Sequence, residues 1–437
     1  MNNFSLFTCI IVTILLINLQ SCKSPTASHN NDNITLSLND VSCTEAWLNV
    51  EVQSVSSPVM LTIKSGSQVL YTTSLSGSDS LIYIDSLLPN KNYSLQGFYT
   101  TNPGNGIGSI QQTTNKLTIQ TMDTTSSNFT WTEYEFGSQA GSSNLNDAAI
   151  INNTDIWVVG YININDTIYN AINWDGKNWN SQSIPYYHQG QAYYSSLYSI
   201  NAFNKSDIWF EAGINWDGHQ FKTIPVNIDF PSHVIKLWGN SDNDLYIVGN
   251  NGLIAHRGTD GNWQKLYSGT TTDLRDIWGS TNGKTVWACG YSNNYSQSCI
   301  LKYDGNIWST LWEKQSNQTP PYGFLVSTLW AGSKYLYVGA ADGIYRNALI
   351  GNGSTHKVLS LPSGPHRIRG IAENNIVVAC DDESIWYFNG ASWFKETQST
   401  LLKPLYSIAV STNTIVAVGF DATTINTQGI ILVGRRN

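Results

Sequence analysis

The sequence predicts an all-β protein: a β-sandwich followed by a seven-bladed β-propeller closed by a strand from its own N-terminal side. Three observations carry this. Only 12% of the 437 residues are charged, while 12% are aromatic, including 16 Trp and 23 Tyr. That composition favours strands and Asn/Gly/Ser turns over helices. An apolar strand ending in Gly or another small residue recurs roughly every 40–50 residues, the period of propeller blades. The last copy stops short of an outer strand, and an unclaimed strand precedes the first.

The length exceeds one ordinary domain and implies two or three. A net charge of −8 and a pI near 5.3 argue against a non-specific nucleic-acid binder. The charge splits into −3 for residues 23–125 and −5 for 126–437, so neither part is strongly polarised. Gly at 35 and Pro at 12 fit a globular chain rather than a collagenous or disordered one.

Residues 1–21 read as a secretory signal. Phe4 to Leu19 is mostly apolar but carries Ser5, Thr8, Thr13 and Asn18, and it is short for a membrane span of about 20 residues. Leu19-Gln20-Ser21-Cys22 follows. This segment resembles the lipobox of bacterial lipoproteins, although Met1-Asn2-Asn3 supplies no Lys or Arg. The resemblance implies cleavage before Cys22 and acylation of Cys22 as the membrane anchor. More than one acyl chain is needed, because one alone holds a protein only marginally. Lys23 stands where an inner-membrane retention Asp would be, so the resemblance implies an outer-membrane lipoprotein, periplasmic or surface-exposed. Residues 22–32 are polar and read as a tether.

Residues 33–122 show short alternating strands separated by Gly/Ser and Pro/Asn clusters, as in an immunoglobulin-like sandwich. Within them runs Leu87-Leu88-Pro89-Asn90-Lys91-Asn92-Tyr93. It resembles the L-x-P-x-x-x-Y segment of fibronectin type III domains, whose Tyr hydroxyl closes a corner. The same resemblance places Trp47 as the core tryptophan.

Residues 126–437 hold the repeat. Counting from Gly160 through Gly213, Gly249, Gly290, Gly339, Cys380 and Gly419 gives steps of 53, 36, 41, 49, 41 and 39 residues. An inner strand precedes each copy. A third strand follows, often running into Asp-Gly and then an aromatic, as in Trp174-Asp175-Gly176-Lys177-Asn178-Trp179. Asp-Gly suits a tight hairpin in which both central residues take positive φ. The Trp beyond it is expected to pack between blades. Phe129–Phe136 is the strand expected to complete the last blade and remove its exposed edge. The pattern resembles WD40-like and bacterial sensor-type propellers, without the Gly-His…Trp-Asp signature of true WD40 repeats.

No catalytic motif appears: there is no H-E-x-x-H, G-x-S-x-G or Walker loop. Asp276, Glu373 and Glu211 lie on or beside strands and are expected to face solvent. The seven His are scattered, so neither a metal nor a cofactor is expected. Of the six Cys, four lie beyond the signal and anchor; Cys289 and Cys299 flank one hairpin and are candidates for a disulfide. Long loops on a rigid scaffold are where binding usually resides. Two are aromatic, so Tyr186, Tyr187, His188, Tyr193, Tyr194, Trp312, Tyr322 and Phe324 are the candidate ligand-binding residues. The expectation is a lipid-anchored, monomeric, non-enzymatic protein that binds a glycan or a protein through the long-loop face. Two alternatives remain open: an exported carbohydrate-active propeller enzyme, glycosidase or lyase-like, and a structural component of an envelope complex.

Overall fold

The computed structural model describes residues 33–53, 58–76, 78–101, 109–137, 141–224, 234–280, 283–314, 322–323, 325–349, 355–397 and 402–437. By contact density the chain forms two compact units. The smaller comprises Asn49–Ser80, Leu95–Leu117 and residues up to Ser37; the larger comprises Leu38–Leu48, Leu81–Ser94 and Thr118–Asn437.

Ahead of residue 122 the strands form two sheets. One runs Gln68–Leu75, Val59–Ser65, Asn92–Thr101, Ile110–Gln120 across its width; the other runs Asn33–Val41, Ala46–Gln53, Ser80–Ile84. Alternation is plain in Val59–Ser65: Val59, Leu61 and Ile63 are buried and Met60 is exposed, as a strand with one face on a core requires. The Tyr93 hydroxyl accepts the Leu88 backbone N–H at 2.8 Å. Trp47 does something other than expected. Inside the larger unit it is buried with Trp330, Tyr335, Tyr337 and Ile368, its ring 5.9 Å from that of Tyr335. The corner motif shapes its own turn, whereas the surroundings of a tryptophan are not encoded locally.

From residue 129 onward, seven four-stranded antiparallel sheets are present among the described residues. Their inner strands are Asn144–Asn152, Ile200–Asn204, Val234–Ser241, Leu274–Gly279, Val326–Ala331, Pro365–Ala372 and Leu405–Val410. Each inner strand neighbours the next, and the last neighbours the first, so the sheets close a ring: a β-propeller. The second strand of each sheet lies between neighbouring sheets and is apolar on both faces, as in fully buried Val286–Gly290 and Tyr335–Ala340.

Closure follows the sequence. Phe129–Phe136 pairs with Gln428–Arg436, with Phe136 opposite Gly429 and Phe129 opposite Arg436. Across the junction, Val416, Val418 and Ile431 pack with Ile156, Val158 and Ile172. Each such side chain, fully buried, contributes on the order of 1.5–3 kcal/mol. The tryptophans after the Asp-Gly turns join these interfaces: Trp179 lies 5.7 Å from Tyr134 of the closing strand and 5.3 Å from Trp174.

The turns are of a different kind from the one the Asp-Gly pair predicts. Only the glycine takes positive φ, as at Gly176 (92°) and Gly305 (101°). The Asp carboxylate instead accepts two backbone N–H groups ahead of it: Asp175 from Lys177 and Asn178 at 2.8 and 2.7 Å, Asp304 from Asn306 and Ile307 at 2.9 and 3.0 Å. These bonds hold both carboxyls below the usual carboxylate range. An Asx turn of this kind replaces a mirror-image hairpin turn.

Candidate functional site

Two regions of the propeller carry candidate features: the lining of its channel and the face carrying the long loops.

Each inner strand, or in one case the residue just before it, carries a polar residue two places after an apolar anchor. Around the ring these are Asp147, Ser199, Lys236, Asp276, Thr328, Arg367 and Ser407. A register shift at or next to the position marks six of the seven, and such a bulge re-aims a side chain. All seven are buried. Four of them stitch one sheet to the next as acceptors. Asp147 takes the N–H of Ile200 at 3.0 Å, Ser199 that of Leu237 at 3.0 Å, Asp276 that of Leu329 at 3.0 Å and Thr328 that of Ile368 at 3.0 Å. Lys236 and Arg367 have no acceptor. The N–H after Lys236 in the ring, on Ile277, turns instead to the Asp276 carboxylate at 3.0 Å.

Charges in the ring pair off. Asp276 meets Arg367 at 2.6 Å, Arg369 at 2.7 Å and the Thr328 hydroxyl at 2.5 Å. Burial opposes its ionisation, but the two guanidiniums win and hold its carboxyl well below the usual range. Asp147 bonds Lys236 and accepts the Ser407 and Ser199 hydroxyls at 2.6 and 2.9 Å. Here too burial raises and Lys236 and Arg367 lower, with a net downward shift. Glu211 is the exception. Burial pushes it up to about 8, with the Asp147 charge adding to the rise, although its Oε2 accepts the Tyr198 N–H at 2.8 Å.

These carboxylates correct the expectation of solvent exposure. Asp276 is fully buried and Glu211 nearly so; Glu373 is half-buried and accepts the N–H groups of Lys334 and Tyr335 at 3.0 and 3.3 Å. A polar residue at one fixed offset in every inner strand was the signal that could have found the ring.

Two places further along the inner strands lies an uneven second ring: Ala149, Asn201, Trp238, Trp278, Trp330, Arg369 and Ala409. Trp238 lies against Gly279, where an added Cβ would meet its ring at 2.0 Å, and Trp330 against Gly370 in the same way at 2.8 Å. The Arg369 guanidinium sits 4.7 Å from the centre of the Trp278 ring. Indoles therefore crowd one side of the channel and small residues leave the other side open. A cavity of about 300 Å³ fills the difference.

The long loops emerge elsewhere. In an antiparallel four-stranded sheet, the connection between the second and third strands and the connection to the next sheet leave from the same end. On that end Tyr186–His188 and Gln191–Tyr193 pair as a hairpin. Its Tyr187 N–H donates to Thr223 Oγ1 at 2.7 Å, which fixes it to the neighbouring sheet. Tyr187, His188, Tyr193 and Tyr194 are exposed, Tyr194 by 60%. Tyr186 differs: it is half-buried against the core beneath and stacks on His188 at 6.3 Å. The same end carries Tyr267 (89% exposed), Tyr295 (56%) and the wholly exposed Ile425, none singled out by sequence.

The second aromatic loop does not join them. Tyr322 is buried, takes a hydrogen bond from Asn347 Nδ2, and packs edge-on against Trp312 at 5.3 Å and Tyr345 at 5.7 Å. Trp312 is half-buried in the same cluster, so both are packing residues. Phe324 lies outside the described residues, as does Cys22.

The disulfide expectation is also corrected. Cys289 and Cys299 are free and buried. Cys289 is paired across the ladder with Ile300, and Cys299 with Gly290. A one-residue offset sends the two thiols to opposite faces of the sheet, into different clusters. Among the described residues no group of His, Cys, Asp or Glu has the geometry of a metal site.

No protein-family model matches the chain, and no curated protein sequence matches it. Likenesses to solved structures are to their folds. The structure of YCF48 bound to D1 peptide superposes with a TM-score of 0.51 at 16% identity, over 72% of this chain and 97% of that one. Virginiamycin B lyase from Staphylococcus aureus gives 0.49 at 13% identity, over 70% and 99%. The WD40 β-propeller domain of Doa1 gives 0.47 at 13%, over 69% and 97%.

Proposed function

We propose that this is a lipid-anchored binding protein of the bacterial envelope, without enzymatic activity, that captures a protein partner on the long-loop face of a seven-bladed propeller. The observation that carries this reading is the gathering of Tyr187, Tyr193, Tyr194, Tyr267, Tyr295 and Ile425, all exposed, at one end of the sheets. Tyrosines present large, stiff, amphipathic area at little entropic cost, which suits a protein interface. A bound peptide in the YCF48 structure agrees with a polypeptide as the partner.

Asp147 and Asp276 support the non-enzymatic part of the reading. Asp147 and Asp276 spend their lone pairs on backbone N–H groups, hydroxyls and cations of neighbouring sheets. A general base or nucleophile must instead be free to meet substrate. Anchoring rests on Leu19-Gln20-Ser21-Cys22. Among the described residues no helix is long and apolar enough to cross a membrane. The fibronectin type III-like sandwich over 33–122 is read as the spacer between anchor and propeller.

The test replaces Tyr187, Tyr193, Tyr194 and Tyr267 together with Ala and passes envelope extract over the immobilised protein. The expected result is loss of the retained partner with an unchanged melting temperature. Retention of the same partner by the variant would overturn the assignment of the face.

A further inference from the structure

The channel cavity of about 300 Å³ lies away from the loop tyrosines. It is lined by inner-strand residues from the polar ring down to Ile150, Ala202, Ile371 and Val410. That is the half of the channel towards the short-turn end. Its size is at the low end of small-molecule sites and suits a single sugar-sized ring.

Three features of its wall define a chemistry. Trp238 and Trp278 form one side, with Ala149 and Ala409 across the ring and Ala202 beside Trp238. Indole faces carry partial negative charge and attract the electropositive C–H faces of a pyranose. Next, polar groups in the wall have bonding capacity to spare. The Asn201 carboxamide makes no hydrogen bond among the described residues, although it lines the cavity. Lys236 has three donors, and its only described bond is to Asp147. Donors left over on a nearly buried ammonium are costly unless something accepts them.

The third feature is charge. Lys236 pairs with Asp147, while Arg367 and Arg369 share Asp276, so three cations meet two carboxylates and one positive charge is in excess. Glu211 does not offset it, since burial favours its neutral form. Burial likewise pushes Lys236 down to about 8; Asp147 resists this, and Arg367 and Arg369 add to it. An anion beside Lys236 would relieve that repulsion.

We propose that the cavity binds one hexuronic acid residue, with its ring against Trp238 and Trp278, its carboxylate on Lys236 and a hydroxyl on Asn201. This site is independent of the protein-binding face.

The test uses full-length protein and titrates sodium D-glucuronate, with D-glucose, sodium acetate and sodium phosphate as controls, read by saturation-transfer NMR and calorimetry. Glucuronate is expected to bind at least tenfold more tightly than any control. Asn201→Ala removes one wall donor, and Ala409→Leu fills the open side. Each is expected to weaken glucuronate at least tenfold with the melting temperature unchanged. The loop tyrosine variant is expected to bind it like the wild type, which keeps this result separate from the partner assay. No saturable glucuronate signal with the folded wild type would overturn the proposal. So would glucose, acetate or phosphate matching glucuronate, or undiminished binding by Asn201→Ala.

Discussion

Replacing Asp276 with Asn should cost the propeller on the order of 3–5 kcal/mol, the usual loss when one partner of a buried ion pair is removed. The geometry explains why the loss falls at this end of mutational effects. Asp276 is fully buried and is the counter-charge for both Arg367 and Arg369, at 2.6 and 2.7 Å. It also accepts the Leu329 N–H at 3.0 Å. The carboxamide keeps one acceptor for that N–H but leaves two buried guanidiniums without a counter-charge. Asp276→Ala should cost more, because the N–H is orphaned too, at roughly 1–3 kcal/mol. The assay is equilibrium denaturation in guanidinium chloride, read as a shift in midpoint at constant m-value. In an Arg369→Leu background the same Asp276→Asn change should cost clearly less, since one of the two cations is gone. A loss below about 1 kcal/mol would refute the reasoning. A gain in stability would go further, since removing a strained functional group often stabilises a protein, and it would point to a role for Asp276 beyond packing.

Three further outcomes follow from the same structure. Burial pushes Glu211 up to about 8 in the fold, against about 4.3 in the unfolded chain. Between those values the native state holds a proton that the unfolded chain has released, so stability falls as pH rises through that window, by at most about 1.4 kcal/mol per pH unit. Glu211→Gln removes this slope, and its stabilisation should be larger at pH 8 than at pH 5 by chemical denaturation; an equal effect at both would contradict it. Thiol titration of the denatured, unreduced protein should find Cys43, Cys289, Cys299 and Cys380 all reactive, and a deficit of two would mean a bridge. Cys22→Ala should release the protein from the membrane fraction; an unchanged fractionation would argue against lipid anchoring.

Much of the architecture was legible because repeats average out local ambiguity. The recurring strand-Gly pattern located every second strand, and the missing outer strand of the last sheet pointed directly to Phe129–Phe136. The corner at Leu88 and Tyr93 was legible for another reason: six consecutive residues contain the whole interaction. The site was harder. Exposure of a loop aromatic depends on what the loop folds over, so Tyr194 and Tyr322 look alike in sequence, yet one is exposed and the other buried. Cys289 and Cys299 flank a hairpin, but only the ladder register shows that they face opposite ways. The ring from Asp147 to Ser407 was present as an offset in every inner strand. It stayed unseen because its partners lie about 40–90 residues or more away in sequence, as with Asp276 and Arg369.

The most direct test of the account is site-specific photocrosslinking in intact cells. A photoreactive phenylalanine analogue would replace Tyr193, Tyr267 or Tyr295 on the long-loop end, with Ile307 at an exposed short turn of the opposite end as the reference. The account predicts a discrete crosslinked protein from the three tyrosine positions and none from the Ile307 position. Crosslinks from Ile307 alone, or none from any tyrosine position in cells where the protein is membrane-bound, would contradict it.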